Sequence, residues 1–357
     1  MKINESLKDY IYQLDDIMQA NILAAEFFEE HFYNWEPTTD VSYLESFVGE
    51  ELIRELLIDL DNLDEEEIDE EFMNTYLIPA VSKVDEKEYL DNPYLKNVKI
   101  KQSKKGKYVL GYFSYRPYEL FPLDDISIDQ KTYRELSNIG YFTNEVSYPY
   151  LGTSDSVWMS INPNEIKTMQ KHIDQASGRV LVLGLGMGYY PYMIALKDDV
   201  KEITIVEKDE NIISIINENI FPFFVNKEKI KIVKDDAYKY LDKHKSNGEF
   251  DMVFADLWHD AIDGVSSFLR LKELEGKTTI PFMYWIDRSL YSMVRRCLLT
   301  ILVEHLENNN PRYDIARDEM DKVINKLYLK VKNLTLNNME DVHQLLSDES
   351  IDELLKE

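Results

Sequence analysis

Apolar residues recur every three or four positions through residues 1–92, for example at Ile11 and Leu14. This spacing puts them on one face of a helix. The segment is also acidic, because nine of the thirteen residues 59–71 are Asp or Glu. Such a run is usually a solvated helix face or loop, and the alternative is a cation-binding patch. The pattern predicts an acidic helical N-terminal region.

The pattern of the chain changes after residue 92. Residues 98–101 and 108–112 flank a turn that contains glycine, and alternation around such a turn predicts a β-hairpin. We therefore predict a small β-rich segment over 93–163. Trp158 lies in an apolar strand of this segment and Trp285 lies in a later one, so both are expected in the core.

Apolar runs alternate with helical stretches from residue 164 to about 307. A helix is predicted over 165–176 and another from about 287 to 305. The strands are predicted at 179–183, 202–206, 230–233, 251–255 and 281–286. Apolar strands that alternate with helices indicate a parallel sheet covered on both faces. The tail, 308–357, is expected to contain helices only.

The predicted fold class is therefore α/β. Right-handed crossovers give a Rossmann-like, doubly wound parallel sheet of five strands in the order 3-2-1-4-5. The mainly helical region and the small β segment precede this sheet. In such a sheet, ligands bind at the carboxyl ends of the strands, beside strand one.

A glycine-rich turn follows the first strand of this domain. Residues 180–188 read VLVLGLGMG, with glycine at 184, 186 and 188. Gly184, Gly186 and Gly188 allow a tight turn and a close approach of the backbone to a ligand. The third glycine lies one place too early for the dinucleotide fingerprint, where Tyr189 stands instead. This spacing favours a ligand without phosphates.

Carboxylates follow the next three strands. Glu207 ends the second strand, nineteen residues after Gly188, where a carboxylate can accept hydrogen bonds from both ribose hydroxyls. Asp236 follows the third strand and could accept from an adenine amino group. Asp256 ends the fourth. Because the strands end at one edge of the sheet, the sequence predicts a single ligand site there.

Residues 178–256 resemble the class I S-adenosylmethionine-dependent methyltransferase superfamily, and within it the spermidine synthase-like branch. The resemblance implies that the three glycines line the methionine end of the ligand and that Glu207 holds the ribose. It also implies that Asp236 and Ala237 contact the adenine. The implied cofactor is S-adenosylmethionine or decarboxylated S-adenosylmethionine.

The sequence departs from that branch at the positions that bind amines. Spermidine synthases carry an Asp inside the glycine turn, where this chain has Met187. They also carry two Asp separated by two residues after the fourth strand. Here Asp256 is followed by His259 at the expected position and by Asp260 one place late. Aminopropyl transfer is therefore less expected than methyl transfer.

The segment after the fourth strand supplies the predicted substrate side. Asp256 could orient an amine, and His259 could act as a base near neutral pH, so these two are the predicted catalytic residues. Trp258, as a wall or a cation–π partner, and Asp260 are the predicted substrate-binding residues. In the alternative, Trp258 is core and His259 caps the next helix. Glu165 is expected to be a solvated first-turn acid.

Charge and composition narrow the possible partners. The chain has 67 acidic and 40 basic residues, which gives a net charge of −27. This balance disfavours nucleic acid and favours a cationic substrate, although acidity often serves only solubility. Cys297 stands alone in an apolar run and is expected to be buried. No histidines have metal-ligand spacing, so no metal is predicted.

We found no signal peptide and no run of eighteen apolar residues, so a cytoplasmic protein without a membrane partner is expected. The leading function is methylation of a small molecule, with a cationic amine favoured. The alternative enzyme is an aminopropyltransferase that uses the decarboxylated donor. A third hypothesis is a non-catalytic binder whose N-terminal region contacts a protein. A homodimer is compatible with each.

Overall fold

The computed structural model describes residues 1–34, 41–59, 69–153, 156–245, 248–307 and 316–357. Most of the acidic run, residues 60–68, lies outside them. The strands are β1 (Lys2–Ile3), β2 (Val81–Lys83), β3 (Ser103–Lys105), β4 (Tyr108–Tyr115), β5 (Leu120–Ile128), β6 (Glu135–Tyr141), β7 (Val146–Gly152), β8 (Val157–Ser160), β9 (Gly178–Leu183), β10 (Val200–Glu207), β11 (Ile230–Lys234), β12 (Met252–Ala255), β13 (Phe282–Tyr284) and β14 (Thr335–Leu336).

Helices account for much of the remaining described chain. They are α1 (Lys8–Asn34), α2 (Gly49–Asp59), α3 (Glu70–Phe72), α4 (Glu86–Leu90), α5 (Pro93–Asn97), α6 (Pro163–Gln175), α7 (Tyr189–Ala195), α8 (Glu210–Asn219), α9 (Ala237–His244), α10 (Ala261–Glu275), α11 (Asp287–Leu306), α12 (Glu319–Val331), α13 (Met339–Leu345) and α14 (Asp348–Lys356). Of these helices, none is long and apolar enough to cross a membrane.

The central sheet is parallel and runs in the order β11-β10-β9-β12-β13. This confirms the predicted order 3-2-1-4-5. Val182 of β9 pairs with Ile205 on one side and Phe254 on the other, and all three are buried. Strands β10 and β11 lie on one side of β9, and β12 and β13 lie on the other. The carboxyl end of β9 is therefore the switch point where such sheets bind ligands.

Two small sheets precede the parallel sheet, in the orders β2-β6-β5 and β3-β4-β7-β8. The predicted hairpin is present, because β3 pairs antiparallel with β4. Its first strand begins at Ser103 rather than near 98. Val98 and Ile100 instead bury their side chains in the main core before the strand starts.

Two expectations about the strands were wrong. Trp158 is 41% exposed rather than core, because β8 is an edge strand that pairs only with β7 on one side. The tail does not contain helices only, since Thr335 and Leu336 of β14 pair in parallel with Lys2 and Ile3. Both strands are only two residues long, and their pairing brings the first residues of the chain against the segment between α12 and α13.

Two other expectations about burial are confirmed. Trp285 is only 8% exposed. Cys297 is buried, and burial raises the pKa of its thiol to about 12. A thiol with so high a pKa is a poor nucleophile near neutral pH, which agrees with a packing role for this residue.

Candidate functional site

A cavity of about 420 Å³ lies at the carboxyl ends of β9, β10 and β12. Most of the residues singled out from the sequence line it, namely Gly184, Gly186, Glu207, Asp236, Ala237, Asp256, Trp258 and His259. Gly188 and Asp260 are outside the lining. Strand β8 and helix α6 contribute Trp158 and Glu165 from the other side. The cavity is thus formed between the parallel sheet and the segment that precedes it.

All three glycines of the turn have positive φ, but they differ in what a side chain at each position would meet. Gly184 has φ +99°, and a Cβ there would lie 2.0 Å from the carbonyl oxygen of Asp256. Gly188 has φ +75° and packs against the ring of Phe224, 2.8 Å from where its Cβ would be. Gly186 has φ +52° and open space in place of a Cβ. Gly186 therefore leaves the backbone accessible to a ligand.

Helix α5 and the residue before it support the turn from the opposite side. The Tyr94 hydroxyl donates to the carbonyl oxygen of Met187 at 2.6 Å. The Asn92 amide donates to the Tyr189 hydroxyl at 2.9 Å. Met187 itself is buried. Sequence reasoning did not find these contacts, because they join segments more than ninety residues apart.

The carboxylate of Glu207 is held in a fixed orientation by the backbone. Its Oε2 accepts from the Leu185 amide at 3.3 Å, and its Oε1 accepts from the Asp209 amide at 2.8 Å. Asp209 in turn accepts from the Tyr108 hydroxyl at 2.6 Å. Each carboxylate oxygen can accept a further bond, so Glu207 can still receive hydroxyl donors from a ligand.

Glu165 is not the solvated acid that the sequence suggested. It lies in the first turn of α6, where its own amide donates to Asn162 at 3.0 Å. Its side chain is half-buried and faces the cavity. Burial raises the pKa of this carboxyl well above its usual range, and the charge of Asp256 raises it further. The expectation failed because the first turn of α6 faces the cavity, which residues of β8 and of the segment after β12 also line.

Asp256 shares this environment with Glu165. Burial, followed by the charge of Glu207, raises the pKa of Asp256 to about 7. Acids that are buried near one another resist ionising together. Protonation of at least one of the two carboxyls is therefore favoured over ionisation of both, and a carboxyl perturbed in this way is a candidate for acid–base chemistry.

The residues that follow Asp256 have different surroundings. Trp258 is 8% exposed, and its indole Nε1 has no hydrogen-bond partner among the described residues. His259 is exposed at the rim, and its backbone amide donates to Asp263 at 3.1 Å. Asp260, rather than His259, caps α10, where its side chain accepts from the amides of Ile262 and Asp263. Asp260 thus has a structural role away from the cavity.

The lining of the cavity is strongly acidic. Within the described chain, its carboxylate residues are Glu165, Glu207, Asp209, Asp236, Asp256 and Asp263. The same lining includes one lysine, Lys208, and no arginine. Asp236 also caps α9, where it accepts from the Lys239 amide at 3.0 Å. A concave surface lined with one sign of charge attracts ligands of the other sign, so this cavity favours a cation.

Part of the chain that lines the cavity is similar to a known domain. Residues 161–271 match the family model of the spermine/spermidine synthase domain. No curated protein matches the chain. Among solved structures, the chain is similar to a protein assigned as an O-methyltransferase from Klebsiella pneumoniae, with 18% identity and a TM-score of 0.27. The match covers 47% of this chain and 66% of that one, which is just under two thirds of the other protein's length. Spermidine synthase from Thermotoga maritima is 13% identical, with a TM-score of 0.31, over 59% of this chain and 84% of that one.

Proposed function

We propose that this protein is a transferase that uses an S-adenosyl sulfonium donor to alkylate an amine, with methyl transfer from S-adenosylmethionine as the leading reaction. The observation that carries the proposal is the carboxylate of Glu207. Two backbone amides orient it beside an open glycine turn, at the switch point of the parallel sheet. The match of residues 161–271 to the spermine/spermidine synthase domain supports the same donor.

The residues of the cavity fit this donor. The backbone of Gly184 and Gly186 would lie against its methionine end, Glu207 would accept the ribose hydroxyls, and Asp236 with Ala237 would bind the adenine. When bound, the donor supplies an electrophilic carbon on a positively charged sulfur. The acidic lining favours a ligand with that charge.

Asp256 and Glu165 are suited to the acceptor amine. In the transfer, the acceptor nitrogen would form a bond to the carbon, the carbon–sulfur bond of the donor would break to leave a neutral thioether, and the nitrogen would lose one proton. Asp256, with a pKa of about 7, is matched to receive that proton near neutral pH. Glu165 lines the same cavity and would help to hold the amine in place. Much of the rate increase in such a displacement comes from alignment.

A second candidate is aminopropyl transfer from the decarboxylated donor. The position of Glu165 favours it. Met187 replaces the acid that spermidine synthases carry in the glycine turn, and Glu165 brings a carboxylate into the cavity from α6 instead. Since no arginine is found among the described lining residues, a donor that carries an ammonium but no carboxylate would meet less electrostatic repulsion there.

The test is calorimetric titration of the full chain with S-adenosylmethionine, with its decarboxylated form and with S-adenosylhomocysteine. Tighter binding of the intact donor supports methyl transfer, and tighter binding of the decarboxylated donor supports aminopropyl transfer. The mass of the product from a panel of amines then identifies the transferred group. If none of the three ligands binds, the proposal is refuted.

A further inference from the structure

Trp158 forms part of the cavity wall although it comes from outside the parallel-sheet domain. It lies on the edge strand β8, and its indole lines the cavity. The side chain is 41% exposed. A large aromatic ring that stays this exposed in the wall of a cavity is a surface on which a ligand can pack.

The indole is fixed in position by a chain of contacts that ends at Glu207. It stacks on Tyr108, with ring centroids 5.5 Å apart and an interplanar angle of 13°. The buried Tyr108 donates its hydroxyl to Asp209 at 2.6 Å. The Asp209 amide donates to Glu207 at 2.8 Å. Trp158 is therefore connected to the carboxylate assigned to the ribose, at the nucleoside end of the cavity.

The surroundings of the indole favour a neutral planar partner. The Lys107 ammonium lies 5.9 Å from the ring centroid of Trp158 and 5.2 Å from that of Tyr108. The two rings already face one cation, and a second cation at the same rings would be repelled by it. The adenine base of a nucleoside is flat and uncharged, so it can use the exposed ring surface without this penalty.

We infer that Trp158 packs against the nucleoside of the donor, so that β8 and the β3–β4 hairpin complete the donor site. This inference rests on the proposed function, because it requires an adenosyl ligand in the cavity. It adds a specificity-determining residue from a segment outside the domain that contains the glycine turn.

The test compares Trp158→Ala and Trp158→Phe with the wild-type chain by calorimetry, using S-adenosylmethionine and S-adenosylhomocysteine. Both ligands carry the same nucleoside, but only the first has a charged sulfur. Loss of a stacked aromatic ring should weaken both ligands equally, by roughly tenfold for the alanine variant and much less for the phenylalanine variant. Wild-type tryptophan fluorescence should also change when either ligand binds, and this change should shrink in both variants.

Phe113→Ala is the matched control. Phe113 is an exposed ring on β4 of the same sheet, stacked on Tyr150 at 4.1 Å, and it is not part of the cavity lining. Its loss should leave both affinities unchanged. Equal loss in Phe113→Ala and Trp158→Ala would mean that the sheet was disturbed generally, which overturns the inference.

Other results would also overturn it. Unchanged affinities in Trp158→Ala would mean that the indole does not touch the donor. Loss for S-adenosylmethionine alone would indicate a contact with the sulfonium, and a raised KM for the amine with unchanged donor affinity would indicate a contact with the acceptor. If the wild-type chain binds neither ligand, the proposed function itself fails, and this result is distinct from the others.

Discussion

Asp256 is expected to lower the free energy of unfolding near neutral pH. Burial and the charge of Glu207 raise the pKa of Asp256 from 3.8 to about 7. A carboxyl whose pKa is raised by folding stabilises the folded chain below pH 3.8, and this contribution is lost as the pH rises through 7. Each pKa unit is worth about 1.36 kcal/mol, so about three units give an upper limit of ~4 kcal/mol. Because the effective dielectric constant inside proteins is higher than that of a dry interior, we take roughly 2–4 kcal/mol as the expected range.

The variant Asp256→Asn keeps the shape of the side chain and removes the charge. The free energy of unfolding is measured by urea denaturation, followed by circular dichroism, from about pH 5 to about pH 8. We expect the variant to gain stability relative to the wild type by roughly 1 kcal/mol per pH unit up to about pH 7. Above that pH the difference should level off.

Asp251→Asn is the control, because Asp251 precedes the same strand and is perturbed in the opposite direction. Hydrogen bonds from Arg179 lower the pKa of Asp251 to about 2. Its stabilising contribution is present above pH 3.8 and is lost only in acid. This variant should therefore be less stable than the wild type by a constant amount over the measured range. Parallel stability curves for Asp256→Asn and the wild type would show that folding does not raise the pKa of Asp256.

Three further substitutions test the cavity by calorimetry and thermal denaturation. Glu207→Gln loses a charged acceptor held by the Leu185 and Asp209 amides, so donor affinity should fall at least ~10-fold; unchanged affinity would contradict its role. Gly186→Ala places a methyl group at φ +52°, where the structure has open space. The strained backbone costs about 1 kcal/mol of folding stability, so Tm should fall only slightly, whereas donor affinity should fall clearly because the methyl group stands where the ligand approaches. Trp258→Phe removes a buried indole N–H that has no partner among the described residues; loss of this unpaired donor offsets part of the lost packing, so Tm should change little, and a large fall in Tm would contradict this expectation.

The parallel sheet was predictable because its signals are local. Each of the strands β9 to β13 is an apolar run that can be recognised without reference to its neighbours, and crossover handedness then restricts the strand order. The glycine turn was predictable for a similar reason. Positions 184 and 188 have positive φ and no room for a Cβ, so these residues record backbone geometry directly in the sequence.

The parts that sequence reasoning missed depend on contacts between distant segments. A first-turn glutamate has the same local pattern whether water or a cavity faces it, and only the position of α6 beside the cavity decides the case for Glu165. An apolar residue in an edge strand resembles one in a central strand, so the exposure of Trp158 had no local signal. The pairing of β1 with β14 joins residues 333 positions apart through two-residue strands, which no periodicity can indicate.

The residues near the cavity that the sequence did not reveal come from segments that precede the parallel sheet. The residues on the sheet side of the cavity belong to the part of the chain that matches a known domain. Under the proposed function, they bind the adenosyl group that the two donors share. Trp158 and Tyr108 come from the small antiparallel sheet, and the Tyr94 and Asn92 contacts come from the segment before it. Because β8 and the first turn of α6 form the opposite wall, the proposed function predicts that the choice of acceptor and the choice between the two donors depend on residues 158–165 more than on the glycine turn. Substitutions exchanged in that wall should therefore change specificity while leaving the parallel sheet folded.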